Sequence, residues 1–269
     1  MRAMSDSPAP LWRALVSTDP GRPFVTSYDD LGDRVELSRA TLDNWVSKTS
    51  NMLVDGFGTQ PGDRVAVALP PHWQSLAWLL SCWSVGAAVV LDGSGGVARD
   101  TEVAVADPDR LTEAQDGGAE EVVGTSLDSL GMPLKEVPAM VTDYTVEVRG
   151  HGDHFQSYPV DAGEIALEVG ERTLTGAEVV AAGRARAEAW GLAEGDRLAV
   201  VVASDAPLTA LGEDLSVLTA AVVSGVPLVL TPAPSAGDEE RFLKRLATER
   251  VSVVYGPAPE GEATFRRVD

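Results

Sequence analysis

The chain contains two copies of one pattern, and this internal repeat limits its fold more than any other feature. Residues 58–70 read GTQPGDRVAVALP and residues 191–203 read GLAEGDRLAVVVA, so each copy has a Gly-Asp-Arg turn followed by an apolar run. Continuous apolar runs are typical of strands buried on both faces of a parallel sheet. The repeat therefore predicts two similar units, each built around a buried strand.

An amphipathic helix is predicted before each Gly-Asp-Arg turn. Ser38 and Thr175 are the predicted N-caps. Apolar or small residues follow on one face of each helix at helical spacing: Leu42, Val46, Thr49 and Leu53 in the first copy, and Val179, Gly183, Ala187 and Trp190 in the second. The two caps are 137 residues apart, whereas Gly62 and Gly195 are 133 apart. The first helix should therefore be one turn longer, because a turn takes about four residues.

The elements after each turn also match. A second helix is predicted near residues 73–85 and 208–224, and each is followed by a glycine and an apolar strand, at residues 86–91 and 225–230. Strands that alternate with helices form parallel sheets with right-handed crossovers. We therefore predict an α/β fold of two pseudo-repeated βαβ lobes, with mostly parallel sheets packed in layers with helices.

The flanking regions complete the predicted organisation. Further strands are predicted at residues 101–106, 121–123 and 251–255, a charged helix at 238–250, and a frayed tail at 257–269. The connection before residue 101 has only about ten residues, which is marginal for a helical crossover. The predicted division is an N-terminal segment (1–30), a first α/β lobe (31–145) and a second α/β lobe (146–269), the three forming one large domain.

Charge and composition exclude several classes of function. The chain has 21 basic and 41 acidic residues, a net charge of −20, which argues against nucleic acid and anionic membranes as partners. The most apolar run, residues 76–91, is shorter than the roughly 20 residues of a membrane span, and the start lacks a signal peptide, so we expect a cytoplasmic protein. Cys82 is the only cysteine, which excludes an intrachain disulfide and a cysteine-based metal site.

Three segments together resemble a known superfamily. Residues 35–92 (VELSRATLDNW through SVGAAVVLD) resemble the opening of the acyl-adenylate-forming enzymes, the AMP-dependent synthetase and ligase superfamily. Residues 174–232 (LTGAEVV through PLVLTP) resemble the segment after the phosphate loop of that superfamily, and residues 240–259 (ERFLKRLATERVSVVYGPAP) resemble its next helix and strand. The resemblance implies the large N-terminal domain of a truncated, degenerate bacterial member.

The motifs of adenylation chemistry are not found at the positions that the resemblance implies. A Ser/Thr/Gly-rich loop ending in Pro-Lys-Gly should precede Thr175, but residues 164–175 read EIALEVGERTLT, with one glycine and no lysine. No lysine of the chain has a neighbouring glycine, which also excludes a Walker-type loop. Tyr255-Gly256 matches the start of the superfamily's Tyr-Gly-x-Thr-Glu motif, but Pro257 follows directly. The ribose-binding aspartate and the mobile C-terminal domain of the superfamily would come later in the chain.

Several smaller patterns are candidates for binding. Gly93, Ser94, Gly95 and Gly96 follow a strand and are interpreted as a flexible turn, with an anion cradle as the alternative. His151, Asp153 and His154 are interpreted as an exposed turn, with a metal site as the alternative.

Other polar residues stand at turns and strand ends. His72 is either a helix-start residue or a ligand contact at a strand end. Asp63 and Asp196 are predicted to cap turns rather than act as catalysts, because both stand in the matched turns. Ser204 and Asp205 follow a strand without a nucleophile elbow. The sequence assigns no catalytic residue.

Three hypotheses follow. The first is an AMP-binding-like pseudoenzyme that lacks ligase activity and retains a small-molecule or nucleotide cleft; ATP or AMP enters only through the resemblance. The second is a non-catalytic interaction or regulatory module, a homodimer or the partner of another protein. The third is a nucleotide-binding protein that uses the loop from Gly93 to Gly96.

Overall fold

The computed structural model describes residues 6–259 and 265–269. The helices are α1 Pro8–Thr18, α2 Arg39–Asn51, α3 Trp73–Val85, α4 Leu111–Asp116, α5 Tyr144–Glu147, α6 Gly176–Ala189, α7 Ser216–Ser224 and α8 Glu239–Thr248. The strands are β1 Pro23–Tyr28, β2 Arg34–Ser38, β3 Arg64–Ala68, β4 Ala88–Leu91, β5 Val103–Ala106, β6 Glu121–Gly124, β7 Val141–Asp143, β8 Ile165–Val169, β9 Arg172–Thr175, β10 Leu198–Val202, β11 Leu228–Pro232, β12 Val253–Tyr255 and β13 Arg266–Val268. These helices fall short of the length and apolar character that crossing a membrane requires.

The strands form two mostly parallel sheets. Sheet A has the order β13-β12-β10-β11-β1-β2, and sheet B has the order β7-β6-β5-β3-β4-β8-β9. The hairpins β1–β2 and β8–β9 pair antiparallel, and the other neighbours pair parallel. Helix α3, in which every residue is buried, contacts strands of both sheets, while α4 and α8 cover the outer faces. The predicted layered α/β fold is confirmed.

The two repeats exchange their hairpins. Each repeat consists of a hairpin, a helix, a strand, a second helix and a second strand, with β1–β2 opening the first and β8–β9 the second. Val25 of β1 pairs with Leu228 of the second repeat, and Leu167 of β8 pairs with Val89 of the first, at equivalent registers. Sheet membership therefore crosses the boundaries at residues 30 and 145, and the division of the chain into lobes there stays a prediction.

The aspartates of the Gly-Asp-Arg turns cap those turns, as predicted. The Asp63 Oδ2 atom accepts a hydrogen bond from the Gln60 backbone N–H at 2.8 Å, and the Asp196 Oδ2 atom accepts one from Ala193 at 2.9 Å. Each contact spans three residues, so the aspartate side chain closes a tight turn just before a buried strand. Their matched geometry assigns these carboxylates a structural role.

The arginines of the same turns hold the exchanged hairpins. Arg64 binds Glu168 of β8 through two nitrogens, at 2.9 and 3.0 Å. Arg197 binds Thr26 of β1 at 2.6 Å and Glu36 of β2 at 3.0 Å. Each guanidinium thus reaches across a central strand to the hairpin of the other repeat, and these charge-assisted contacts fix where the hairpins lie.

The predicted helix caps are confirmed. Ser38 accepts a hydrogen bond from the Thr41 backbone N–H, and Thr175 forms a capping box with Glu178. The extra turn of the first helix is also found, as a π-helical turn at Met52–Gly56. Sequence offsets between repeats therefore located an insertion correctly.

The predicted helix over residues 208–224 was too long. Leu208–Leu211 forms a 3-10 turn, and α7 begins only at Ser216. Gly212 and Leu215 have positive φ values of 89° and 53°, which interrupt a right-handed helix. Apolar spacing continues across this break, so periodicity alone could not show it.

The prediction of a frayed tail at residues 257–269 was wrong for residues 265–269. Arg266–Val268 forms β13, which pairs parallel with β12. Arg266 binds Asp196 at 2.8 Å, and the Trp190 indole N–H donates to the Asp269 carbonyl at 3.0 Å. A strand of three residues has too little sequence pattern to be predicted. The contacts that hold β13 come from residues that are distant in the sequence. Residues 260–264 lie outside the described chain.

Candidate functional site

A cleft of about 160 Å³ opens where the carboxyl ends of both sheets meet. Its wall is largely apolar, which is typical of small-molecule sites. Its lining includes Tyr28, Pro70, His72, Leu127, Val202 and Ser204. In α/β folds, ligands bind beyond the carboxyl ends of parallel strands, so the position of this cleft makes it the candidate site.

His72 serves both as a helix cap and as part of the cleft wall. Its Nδ1 atom accepts a hydrogen bond from the Gln74 backbone N–H at 3.4 Å, which caps α3. Burial lowers the pKa of His72 to about 4, although the negative charges of Asp29 and Asp128 oppose this shift. The imidazole is therefore neutral at pH 7. With Nδ1 as the acceptor, Nε2 carries the hydrogen and is the donor that remains.

A second, more polar cleft of about 210 Å³ adjoins the first. Both clefts are lined by Asp29, Asp30 and Pro232, so they share an edge. Arg241 and Arg245, one turn apart on α8, line the polar cleft. Together the two clefts form one groove with an apolar end and an end that carries two guanidinium groups.

Arg245 stands at the junction of the two clefts. Its Nη1 atom donates to the Thr231 hydroxyl at 2.8 Å, and its guanidinium carbon lies 4.4 Å from the centre of the Tyr28 ring. Thr231 and Tyr28 both line the apolar cleft. Burial lowers the pKa of Arg245 and the positive charge of Arg241 acts in the same direction, whereas Tyr28 and the negative charge of Asp29 oppose this shift.

The loop from Gly93 to Gly96 is occupied by its own carboxylate. The Asp92 Oδ2 atom accepts from the backbone N–H groups of Ser94 at 3.2 Å and Gly96 at 3.4 Å, and from the Ser94 hydroxyl. These hydrogen bonds lower the pKa of Asp92, with the Ser94 side chain as the main cause. The N–H groups that would cradle an anion already face a negative charge, so the geometry favours the turn interpretation of Gly93, Ser94, Gly95 and Gly96.

The histidine-rich loop is tied to α2 by its backbone. The Lys48 ammonium donates to the His151 carbonyl at 2.6 Å, and the Asn51 amide donates to the carbonyls of Gly152 and His154. The His151 Nε2 atom lies 3.5 Å from a Glu147 carboxylate oxygen. Within residues 6–259 and 265–269, no group of three or more His, Cys, Asp or Glu side chains is placed to hold a metal ion. The side chains of His151, Asp153 and His154 therefore do not form such a group.

The segment before Thr175 is a tight hairpin. Strand β8 ends at Val169, β9 begins at Arg172, and only Gly170 and Glu171 connect them. The Gly170 N–H donates to the Leu91 carbonyl at 3.1 Å, which places the turn against β4. Two residues are too few to form a loop that wraps a phosphate with several backbone N–H groups.

Sequence reasoning found part of this site. His72 and Ser204 were candidates because both follow predicted strands, and the structure brings them to one cleft. Arg241, Arg245 and Tyr28 were missed. The available indication was two arginines at an i, i+4 spacing, an arrangement of like charges that slightly destabilises a helix.

Comparison with known proteins agrees with this architecture. The family model described as "AMP-binding enzyme" matches residues 12–107. A TIGR03089 family protein of Mycobacterium tuberculosis is 37% identical over 246 residues, covering 89% of this chain and 94% of the relative. An acetyl-coenzyme A synthetase of Streptomyces coelicolor is 38% identical over 89 residues, covering 32% of this chain and 13% of that enzyme.

Solved structures show the same fold over nearly the whole chain. An acyl-CoA synthetase of Brucella canis superimposes with a TM-score of 0.68 at 17% identity, covering 90% of this chain and 47% of the synthetase. The N-terminal subdomain of Klebsiella oxytoca NpsA, solved with anthranilyl-AMSN, superimposes with a TM-score of 0.63 at 15% identity, covering 93% of this chain and 59% of that chain. The chain thus spans about half the length of these structures.

These matches identify the class of protein: the chain has the fold of the N-terminal domain of adenylate-forming, AMP-binding enzymes. Within that class, the extended identity to the mycobacterial protein is decisive, and the chain belongs to the TIGR03089 family.

Proposed function

We propose that this protein is an AMP-binding-like domain that does not form acyl-adenylates and that retains a small-molecule cleft between its two sheets. The observation that carries the proposal is the connection between β8 and β9, which consists of Gly170 and Glu171 alone. By the order of elements, the phosphate loop of the superfamily belongs at this position.

Charge at the hairpin supports the same proposal. Glu171 is exposed in the turn, and Glu168 lies three residues before it, where Arg64 neutralises it. A carboxylate about 4 Å from a phosphate oxygen costs about 1 kcal/mol in water and about 4 kcal/mol at an effective dielectric of 20. The turn offers a triphosphate neither a lysine nor an N–H cradle, and the charge of the exposed Arg172 is opposed by that of its neighbour Glu171.

The test is ATP–pyrophosphate exchange by the purified chain with a panel of aliphatic and aromatic carboxylic acids. We expect no exchange above the protein-free blank, with the Streptomyces coelicolor acetyl-coenzyme A synthetase as the positive control. Titration calorimetry with Mg-ATP and with AMP should likewise show no saturable heat. Exchange that rises with protein concentration and depends on an added acid would refute the proposal.

A second candidate function is an interaction module that self-associates. Large apolar side chains are exposed on two neighbouring loops, with Leu31 83% and Leu130 80% exposed. The Ser129 hydroxyl donates to Asp29 at 3.1 Å, which holds the loops of Leu31 and Leu130 together. Light scattering over a range of protein concentrations tests this candidate: a dimer supports it, and a monomer at every concentration eliminates it.

A further inference from the structure

We propose that two loops, at residues 29–33 and 126–132, form a docking surface for a segment of another protein that carries basic and apolar side chains. The first loop follows β1 of sheet A and the second follows β6 of sheet B, so the surface joins the two sheets. The proposal goes beyond the proposed function and does not depend on it, because it concerns an outer surface and not the contents of the cleft.

The first observation is that large apolar side chains project from both loops. Leu31 is 83% exposed, Leu130 is 80% exposed and Met132 is 54% exposed. The Ser129 hydroxyl donates to the Asp29 carboxylate at 3.1 Å, which holds the two loops together. Single exposed apolar side chains are normal on a soluble protein, whereas neighbouring ones mark interaction sites. Three of them on two bonded loops therefore indicate an interaction surface.

The second observation is that hydrogen bonds fix the backbone of both loops while the apolar side chains stay outside. The Asp128 Oδ1 atom accepts from the backbone N–H groups of Leu130 at 2.8 Å and Met132 at 3.3 Å. In the other loop, the Asp29 Oδ1 atom accepts from the Asp33 backbone N–H at 2.8 Å. A surface that is already ordered loses little conformational freedom when a partner binds, which favours affinity.

The third observation is the charge around the apolar side chains, which determines the kind of partner. Asp30, Asp33 and Asp128 are exposed. None of the three forms an ion pair within residues 6–259 and 265–269. Lysines or arginines of a partner would face these carboxylates, and complementary charge across an interface gives specificity and speeds association.

Two positive charges near the first loop reduce the negative charge of the surface but do not remove it. A Cβ atom built on Gly32 would lie 2.8 Å from the Arg241 Nη2 atom and 3.6 Å from the Arg245 Nη2 atom. Arg245 also donates to the Thr231 hydroxyl and lies over the Tyr28 ring. The two loops contain four aspartates against these two arginines, so the formal charge of the surface stays negative.

A second copy of this chain is the competing occupant, and charge argues against it. In a symmetric dimer the same surface of both copies is in contact, so this negative surface would face itself. The chain has a net charge of −20, and a net charge far from zero keeps proteins monomeric. A basic partner meets neither repulsion, so it fits this surface better than a second copy does.

Fluorescence anisotropy of the full chain with a labelled model peptide tests this proposal. The peptide has about 14 residues, or four helical turns, with leucines on one face and lysines on the other. We expect saturable binding and a loss of at least about tenfold in affinity in the double variant Leu31→Ser/Leu130→Ser. Asp30→Asn/Asp33→Asn should lose about threefold, and this loss should shrink at about 1 M salt, because salt screens exposed charges.

Matched changes at the opposite end of sheet B make the result specific. Ile165→Thr changes a side chain that is 44% exposed at the start of β8, and Glu120→Gln/Glu121→Gln removes two charges at the start of β6. Both variants should bind the peptide as the wild type does. Peptides with glutamate in place of lysine, or serine in place of leucine, should bind at least about tenfold more weakly.

Circular dichroism and the melting temperature of each variant show whether it is folded. If Leu31→Ser/Leu130→Ser unfolds, Asp30→Asn/Asp33→Asn becomes the decisive variant. The Asp30 and Asp33 side chains form no ion pair in the part of the chain that the structure describes, so their replacement leaves the fold intact.

Four results would overturn the proposal. They are no saturable binding of the lysine peptide up to about 1 mM, equal affinity in the wild type and the leucine variant, equal binding of the glutamate or serine peptide, and a wild-type dimer that the leucine variant does not form. The last result would identify a second copy as the occupant. ATP–pyrophosphate exchange bears on the proposed function alone, so the two proposals fail separately.

Discussion

Arg64 and Arg197 occupy the same position of the repeat, but the glutamates that they bind in the exchanged hairpins lie on different strands, and Arg197 also binds Glu249, after α8, at 2.9 Å. Arg64 binds Glu168 on the first strand of its hairpin, whereas Arg197 binds Glu36 on the second strand of the other. Each glutamate has a threonine opposite it: Thr173 for the first and Thr26 for the second. The glutamate and the threonine thus exchange strands between the two hairpins, while the ion pair between arginine and glutamate is kept. The sequence shows the arginines but not these hairpin partners, because each comes from the other repeat.

His72 is the residue for which we expect a distinct pH dependence. Its pKa of about 4 in the folded protein lies below the ordinary value of 6.5, so between these values the unfolded chain binds a proton that the folded protein does not. The free energy of unfolding should therefore fall as the pH drops through this range, by up to about 1.4 kcal/mol per pH unit. Above pH 6.5 both states are neutral, and the term vanishes.

Urea unfolding of the wild type and of His72→Asn at several pH values between about 7 and 4.5 measures this effect. Asparagine is a good N-cap, so the variant keeps the start of α3 while removing the titrating group. We expect the stability of the wild type to fall more steeply with decreasing pH than that of the variant. Parallel curves would show that His72 ionises as freely in the folded protein as in the unfolded chain.

At the scale of elements, prediction succeeded where local chemistry determines the structure. Caps at Ser38 and Thr175, and the glycines that end α3 and α7 with φ values of 81° and 67°, follow from side-chain and backbone preferences that act within one turn. Prediction failed for elements that depend on distant partners. Strand β13 exists because β12 offers an edge, and the break before α7 depends on a positive φ at Leu215. The two arginines of the groove became recognisable only once α8 was placed beside the turn at Gly32.

For the whole molecule, the exchanged hairpins predict that neither half folds alone. A fragment of residues 1–152 has the hairpin β1–β2 but lacks β11, its neighbour in sheet A, and a fragment of residues 153–269 has β8–β9 but lacks β4. Each fragment alone should show no cooperative unfolding transition as a monomer, since an unpaired hairpin buries too little apolar surface. Coexpressed, the two fragments should form a stable complex with a single transition.

The matched control is the intact chain with a protease site inserted after Gly152 and cleaved after folding. It should remain one particle under native conditions and separate only in denaturant, because strands of both parts lie in each sheet. A fragment that unfolds cooperatively as a monomer would show instead that each repeat is an independent folding unit.

The pairing of β1 with β11 also determines how late β1 can pair while the chain is being synthesised. Val25 pairs with Leu228, so the first strand leaves the ribosome long before its parallel neighbour exists. Leu228 lies 203 positions after Val25, and at about 5–20 residues per second this stretch takes roughly 10–40 s to synthesise. Sheet B gains its exchanged strand much sooner, since Val89 and Leu167 are closer in the chain. Until β11 is synthesised, the apolar side chains of Phe24 and Val25, which are fully buried in the finished protein, have no sheet to cover them. In this interval the nascent chain is most exposed to aggregation and to chaperones.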